Sequence, residues 1–72
     1  MAVLPILSGK ELIKVLEKLG YRVVRQRGSH VRLKCASKRF VTVPNHNVIG
    51  KALLRKILRD IEINTEDFLK LM

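Results

Sequence analysis

The fold is decided by the segment from Arg25 to Lys34, which reads RQRGSHVRLK. It predicts a β-hairpin made of an extended run, a Gly-Ser turn and a second strand that begins at His30. Side chains alternate between the two faces of a strand, so one face carries Val31, Leu33 and Cys35 and the other His30, Arg32 and Lys34. An imidazole in line with two fixed cations suits an anionic substrate better than a hydrophobic core.

Helical patterns lie on both sides of this hairpin. Ser8 and Glu11 fit a capping box and Gly20 fits a helix C-terminus, which predicts a first helix over about residues 9–19. Apolar residues at helical spacing predict a second helix over about residues 48–61, with Asn47 as its cap. Asn64 and the acidic residues that follow it predict a short terminal helix.

The strands predict a three-stranded antiparallel meander over residues 21–27, 30–35 and 39–43, which ends before Pro44. The first strand is expected to be polar on one side only. Together with the helices this gives an α+β fold of order α-β-β-β-α plus a short C-terminal helix. Two layers bury both long helices on one face of the sheet and leave the His30 face open. We expect one domain over residues 1–72.

The positive charge is concentrated in the middle of the chain. The formal net charge is +9, and from Lys18 to Arg59 there are twelve Lys or Arg residues and no Asp or Glu. This distribution predicts a polyanion or an acidic protein as partner, although a basic but unspecialised surface is the plainer interpretation. No apolar run reaches the ~18 residues of a membrane span, so we expect a soluble cytoplasmic protein.

His30 is the leading catalytic candidate, because histidine gives and takes protons near neutral pH. Arg32 and Lys34 would hold a phosphate, the backbone at Ser29 would contact an anion, and the strand with Arg25 and Arg27 would steer RNA. Without the surrounding charge, a solvated histidine at a turn would explain the pattern equally well.

His46, in the polar loop after the third strand, is the second candidate: an acid or base, a phosphate contact, or a plain surface histidine. Two histidines and one cysteine, with no carboxylate between Glu17 and Asp60, are too few for a metal site, so we expect no metal and no cofactor. RNA then fits better than DNA, because its 2′-hydroxyl supplies the attacking group. The three aromatic rings are expected to lie in the core: Tyr21, Phe40 and Phe68.

Five pieces of the sequence have an order and spacing typical of one known family: Ser8–Leu12, Leu19–Tyr21, Val24–His30, Val41–His46 and Leu53–Asp60. Together they resemble the HicA family of small toxins, which are mRNA interferases of bacterial and archaeal toxin–antitoxin systems. One departure is Ala52, where the family often has glycine.

The resemblance implies a fold like that of double-stranded-RNA-binding domains and translation-independent cleavage of mRNA. It places the catalytic histidine at His30 and a second family histidine at His46. It also implies an antitoxin that covers the active site. From the residues alone, two other functions stay open: a non-catalytic module that binds double-stranded RNA, and an interaction protein whose basic face docks an acidic partner.

Overall fold

The computed structural model describes residues 3–72, so the first two residues of the predicted domain lie outside the described part. The elements are α1 (Gly9–Lys18), β1 (Arg22–Arg27), β2 (His30–Cys35), β3 (Lys38–Pro44), α2 (Lys51–Asp60) and α3 (Thr65–Lys70). The strands pair antiparallel in the order β1-β2-β3. This confirms the α+β class and the α-β-β-β-α order with a three-stranded open sheet. Within residues 3–72, no helix is long and apolar enough to cross a membrane.

Both ends of α1 form as predicted. The Ser8 hydroxyl accepts a hydrogen bond from the Glu11 amide at 3.2 Å, and the Glu11 carboxylate accepts one from the Ser8 amide at 2.9 Å. At the other end Gly20 has φ +97°, and the Tyr21 amide donates to the Leu16 carbonyl at 3.1 Å. This left-handed glycine terminates the helix at low steric cost.

The prediction for the start of α2 was wrong by three residues. The helix begins at Lys51 with Gly50 as its cap, and Asn47 does not cap it. Ile49 is buried, and its amide donates to the Leu7 carbonyl at 2.8 Å. This tertiary contact holds the chain extended before the helix, and it outweighs the local helical pattern.

The core lies between one face of the sheet and the helices. β2 alternates strictly between exposed and buried side chains, and β3 buries Val41 and Val43 on the same side. The helices contribute apolar side chains that are at most a few per cent exposed: Leu12, Val15, Leu16, Leu54, Ile57, Leu58 and Phe68. Burial of one sheet face only is what the two-layer arrangement requires.

The edge strands differ from the prediction in two respects. All six residues of β1 are exposed, including Val23 and Val24, so the expectation of one apolar, covered side was wrong. The reason is that α1 and α2 pack mainly against β3, which is at the opposite edge of the sheet from β1. β3 continues through Pro44 instead of ending before it, as an edge strand permits for a residue without an N–H.

Candidate functional site

The open face of the sheet is organised in rows of side chains that run across the strands. Residues directly opposite each other in an antiparallel pair point to the same face. One row joins Arg27, His30 and Pro44, and the next joins Arg25, Arg32 and Thr42. A third row pairs Arg22 with Lys34. The open face is therefore basic in every row.

An irregularity in β1 creates this arrangement. Val23 pairs with Leu33 but Arg25 pairs with Arg32, so β1 contains one extra residue at Val24. In a regular strand, Arg22 and Arg25 would point to opposite faces. The extra residue shifts the alternation and brings Arg22 to the same face as Arg25, Arg27 and His30, as β-bulges do when they redirect side chains.

His30 lies in a shallow cavity on the open face. The cavity has a volume of about 170 Å³ and is lined by Arg25, Arg27, His30, Arg32 and Thr42. Four of the predicted site residues thus line one concavity, with no carboxylate in its wall. Its residues suit the binding of a phosphate group beside an imidazole.

The remaining predicted residues lie outside this cavity. Lys34 is one row further along β2. Ser29 lies in the turn after Gly28, whose φ is +59°, and its carbonyl accepts a hydrogen bond from the Asn45 amide at 2.6 Å. His46 is exposed and does not line the cavity. The structure therefore places His30 in one cavity with three arginines, and His46 is not among the residues that line this cavity.

The loop that carries His46 is fixed against the start of α1. The Gly9 amide donates to the His46 carbonyl at 2.8 Å. A Cβ atom at Gly9 would lie 2.3 Å from the Pro44 carbonyl oxygen and 2.9 Å from the Asn45 Cα. Only glycine permits this close approach, so the glycine of the helix-opening motif positions the loop after β3.

Sequence reasoning missed two residues of the open face, Thr42 and Phe40. Phe40 was expected in the core with Tyr21 and Phe68, and those two are buried. Phe40 is instead 49% exposed, and its ring lies 4.8 Å from the Arg32 guanidinium carbon. The alternation of Phe40, Thr42 and Pro44 with the buried Val41 and Val43 is the signal that places these residues on the open face.

The groups with shifted pKa values lie at the far end of the sheet from His30. Burial, and then the nearby Cys35 and Asp60, raise the pKa of Tyr21, whose hydroxyl donates to the Arg39 carbonyl at 2.9 Å. Hydrogen bonds from Ser37 lower the pKa of Cys35. Among residues 3–72, no group of three or more His, Cys, Asp or Glu side chains is placed to hold a metal ion.

The comparisons with known proteins bear on the chain as a whole. A family model described as the HicA toxin of bacterial toxin–antitoxin systems matches residues 9–63. The chain belongs to the HicA toxin family. No curated protein and no solved structure matches it. HicA membership makes the chain the toxin of a toxin–antitoxin pair and implies a cognate antitoxin as its partner. The matched range includes every residue of the His30 cavity.

Proposed function

We propose that this HicA protein is an endoribonuclease that cleaves mRNA independently of translation, with His30 as the general acid or base. The observation that carries the proposal is the cavity in which the His30 imidazole shares the walls with three arginines. Histidine performs proton transfer at neutral pH, and arginine binds phosphate oxygens through a planar fork of donors. The site of action would be the cytoplasm, where mRNA is translated.

The reaction that fits this site uses the RNA itself as nucleophile. The 2′-oxygen forms a bond to the adjacent phosphorus, and the bond from phosphorus to the 5′-oxygen breaks. One proton leaves the 2′-hydroxyl and one is added to the 5′-oxygen, which leaves a 2′,3′-cyclic phosphate and a 5′-hydroxyl. His30 would perform one of these two transfers and solvent the other, so the protein's own residues need no metal ion or cofactor.

The cations of the open face lie opposite one another across the strands. Arg25 lies directly opposite Arg32, and Arg22 directly opposite Lys34. Like charges in such cross-strand positions destabilise a sheet. A bound phosphodiester would relieve that repulsion, and the arginines would stabilise the negative charge that develops on its oxygens during cleavage. Selection for an anionic ligand thus accounts for an arrangement that costs stability.

Ser29 and His46 complete the proposed substrate contacts. The turn at Gly28 and Ser29 leaves the approach to His30 open, and its backbone amide groups suit a phosphate oxygen. His46, outside the cavity, would contact the RNA rather than transfer a proton. Lys34 would hold a phosphate one row away from the reacting one.

The test is a ribonuclease assay on purified protein in the presence of a metal chelator. We expect cleavage of single-stranded RNA with 2′,3′-cyclic phosphate ends, and we expect His30→Ala to abolish most of it. His46→Ala is the matched histidine control and should weaken binding more than it slows the bound reaction. Product ends with a 3′-hydroxyl would contradict the mechanism. Salt-dependent binding of duplex RNA without any cleavage would instead support the non-catalytic module.

A further inference from the structure

Phe40 is an exposed aromatic ring on the basic open face of the sheet. It follows the alternation that places Thr42 on the open face, and about half of the side chain is in contact with solvent. The Arg32 guanidinium carbon lies 4.8 Å and the Lys34 amine 5.5 Å from the ring centroid. Exposed cation–π contacts of this kind contribute less to stability than full burial of a phenylalanine does.

Phe40 has different surroundings toward β2 and at the edge of the sheet. The cations beside its ring belong to β2, which is the neighbouring strand. At the β3 edge, Phe40 contributes to a separate cavity of about 210 Å³, whose other walls are Val41, Thr42, Leu53, Lys56, Ile57 and Asp60.

The Phe40 cavity adjoins the His30 cavity, because Thr42 lines both. The Phe40 ring lies beside Arg32 and Lys34, which are two and four residues from His30 along β2, or roughly 7 and 13 Å at the rise of a strand. A base held at Phe40 would therefore belong to a neighbouring nucleotide and not to the nucleotide whose phosphate reacts at His30.

We propose that Phe40 is a stacking platform for a nucleobase of single-stranded RNA, next to the cleaved phosphate. Arg32 and Lys34 would bind the phosphates that flank this base. Aromatic side chains beside cations are the general device for binding single-stranded nucleic acid. The inference rests on the proposed function and adds a residue that determines substrate class, since bases in a duplex are not free to stack on a protein ring.

The first test measures RNA affinity in a His30→Ala background, in which the substrate stays intact. We expect Phe40→Ala to weaken binding of single-stranded RNA roughly 5- to 150-fold, which is the usual effect of losing one stacked base. Binding of duplex RNA should change much less. Phe40→Leu keeps an apolar side chain without a ring and should be nearly as weak as Phe40→Ala. Ile6→Ala removes another exposed apolar side chain. Ile6 precedes α1 and is not part of the sheet, so this variant should leave the affinity unchanged.

The second test uses Phe40→Trp, which introduces the only tryptophan of the chain. We expect it to retain affinity, and we expect single-stranded RNA to quench its fluorescence. Equal affinity of the parent and Phe40→Ala, or full affinity of Phe40→Leu, would overturn the proposal. The proposal would also be overturned if Phe40→Ala bound an acidic antitoxin more weakly than the parent does but bound RNA as tightly as the parent.

The two proposals fail in different ways. If the parent does not cleave RNA but the Phe40 effects on RNA binding persist, the ribonuclease assignment is wrong and the stacking platform stands. If the parent cleaves RNA and Phe40→Ala binds and cleaves as the parent does, the stacking platform is wrong and the ribonuclease assignment stands. Thermal unfolding of each variant confirms that the exposed position was changed without loss of the fold.

Discussion

The two faces of β2 consist of alternating residues of one six-residue strand, yet they serve different ends. Val31, Leu33 and Cys35 are buried against the helices, and Leu33 is 0% exposed. His30, Arg32 and Lys34 point to the open face, where each lies opposite an arginine of β1. The inner face gains free energy from apolar burial, whereas the outer face loses some through like-charge repulsion. The inner face therefore stabilises the fold, whereas the charges of the outer face do not, which is what the proposed binding of an anionic ligand requires.

The largest expected effect on stability comes from truncating a buried side chain on the inner face of β2. Leu33→Ala should lower the free energy of unfolding by about 2–5 kcal/mol, because it leaves a cavity at a fully buried position. Lys34→Ala, its neighbour on the other face, should lower it by no more than about 1 kcal/mol, which is the value of its exposed cation–π contact. Urea denaturation of both variants measures the contrast, and equal losses would show that the faces do not differ as described.

A smaller loss should follow from changing the residue that joins the helical layer to the end of the sheet. Gly9→Ala forces a methyl group against the Pro44 carbonyl, and we expect a destabilisation of about 1–3 kcal/mol. Gly50→Ala is the matched control, since no heavy atom lies within 4 Å of its added Cβ. Unfolding curves should place Gly50→Ala much closer to the parent. A parent-like Gly9→Ala would contradict the close approach of the loop.

The charge of the outer face predicts a smaller effect that is visible in the salt dependence of RNA binding. In the His30→Ala background, Arg25→Gln should reduce the slope of log K against log salt by about 0.7, the value for one phosphate contact to a single strand. Lys14→Gln removes an exposed cation from α1 in the helical layer and should leave the slope unchanged. An equal reduction in both variants would mean that RNA is bound by overall charge and not by the open face.

The smallest expected effect comes from deleting Val24. Because Val24 is the extra residue of β1, its removal should convert β1 to a regular strand and keep Arg22, Arg25 and Arg27 on their present face. We expect a folded protein with the same salt slope for RNA. If β1 were regular in the native protein, the deletion would move Arg22 to the opposite face, because the turn fixes Arg25 and Arg27, and RNA binding would fall.

Local patterns were enough to predict most of the fold. The capping box at Ser8, the left-handed Gly20 and the alternation of β2 depend on neighbouring residues, so the sequence contains their whole cause. The start of α2 does not depend on neighbouring residues alone. It depends on the hydrogen bond between the Ile49 amide and the Leu7 carbonyl, two residues that only the tertiary fold brings together.

The candidate site was predictable where local patterns determine it, and was not predictable where it depends on other parts of the fold. His30, Arg32 and Lys34 share a face because of strand alternation, which the sequence shows directly. The position of Arg25 opposite Arg32 follows from the short turn between Arg27 and His30. The position of Arg22 opposite Lys34 depends on the extra residue at Val24, and no feature of the sequence marks that irregularity. The alternation of β3 does place Phe40 on the open face, but the expectation that aromatic rings are buried outweighed it.

The most direct test of the account is the single-turnover rate of RNA cleavage by His30→Ala, measured at saturating protein and compared with the parent. General acid–base catalysis contributes about 10²- to 10⁴-fold, and we predict a loss in that range. The free energy of unfolding should stay within about 0.5 kcal/mol of the parent, as for an exposed position. A His30→Ala protein that cleaves bound RNA as fast as the parent would contradict the assignment of the open face as the catalytic surface.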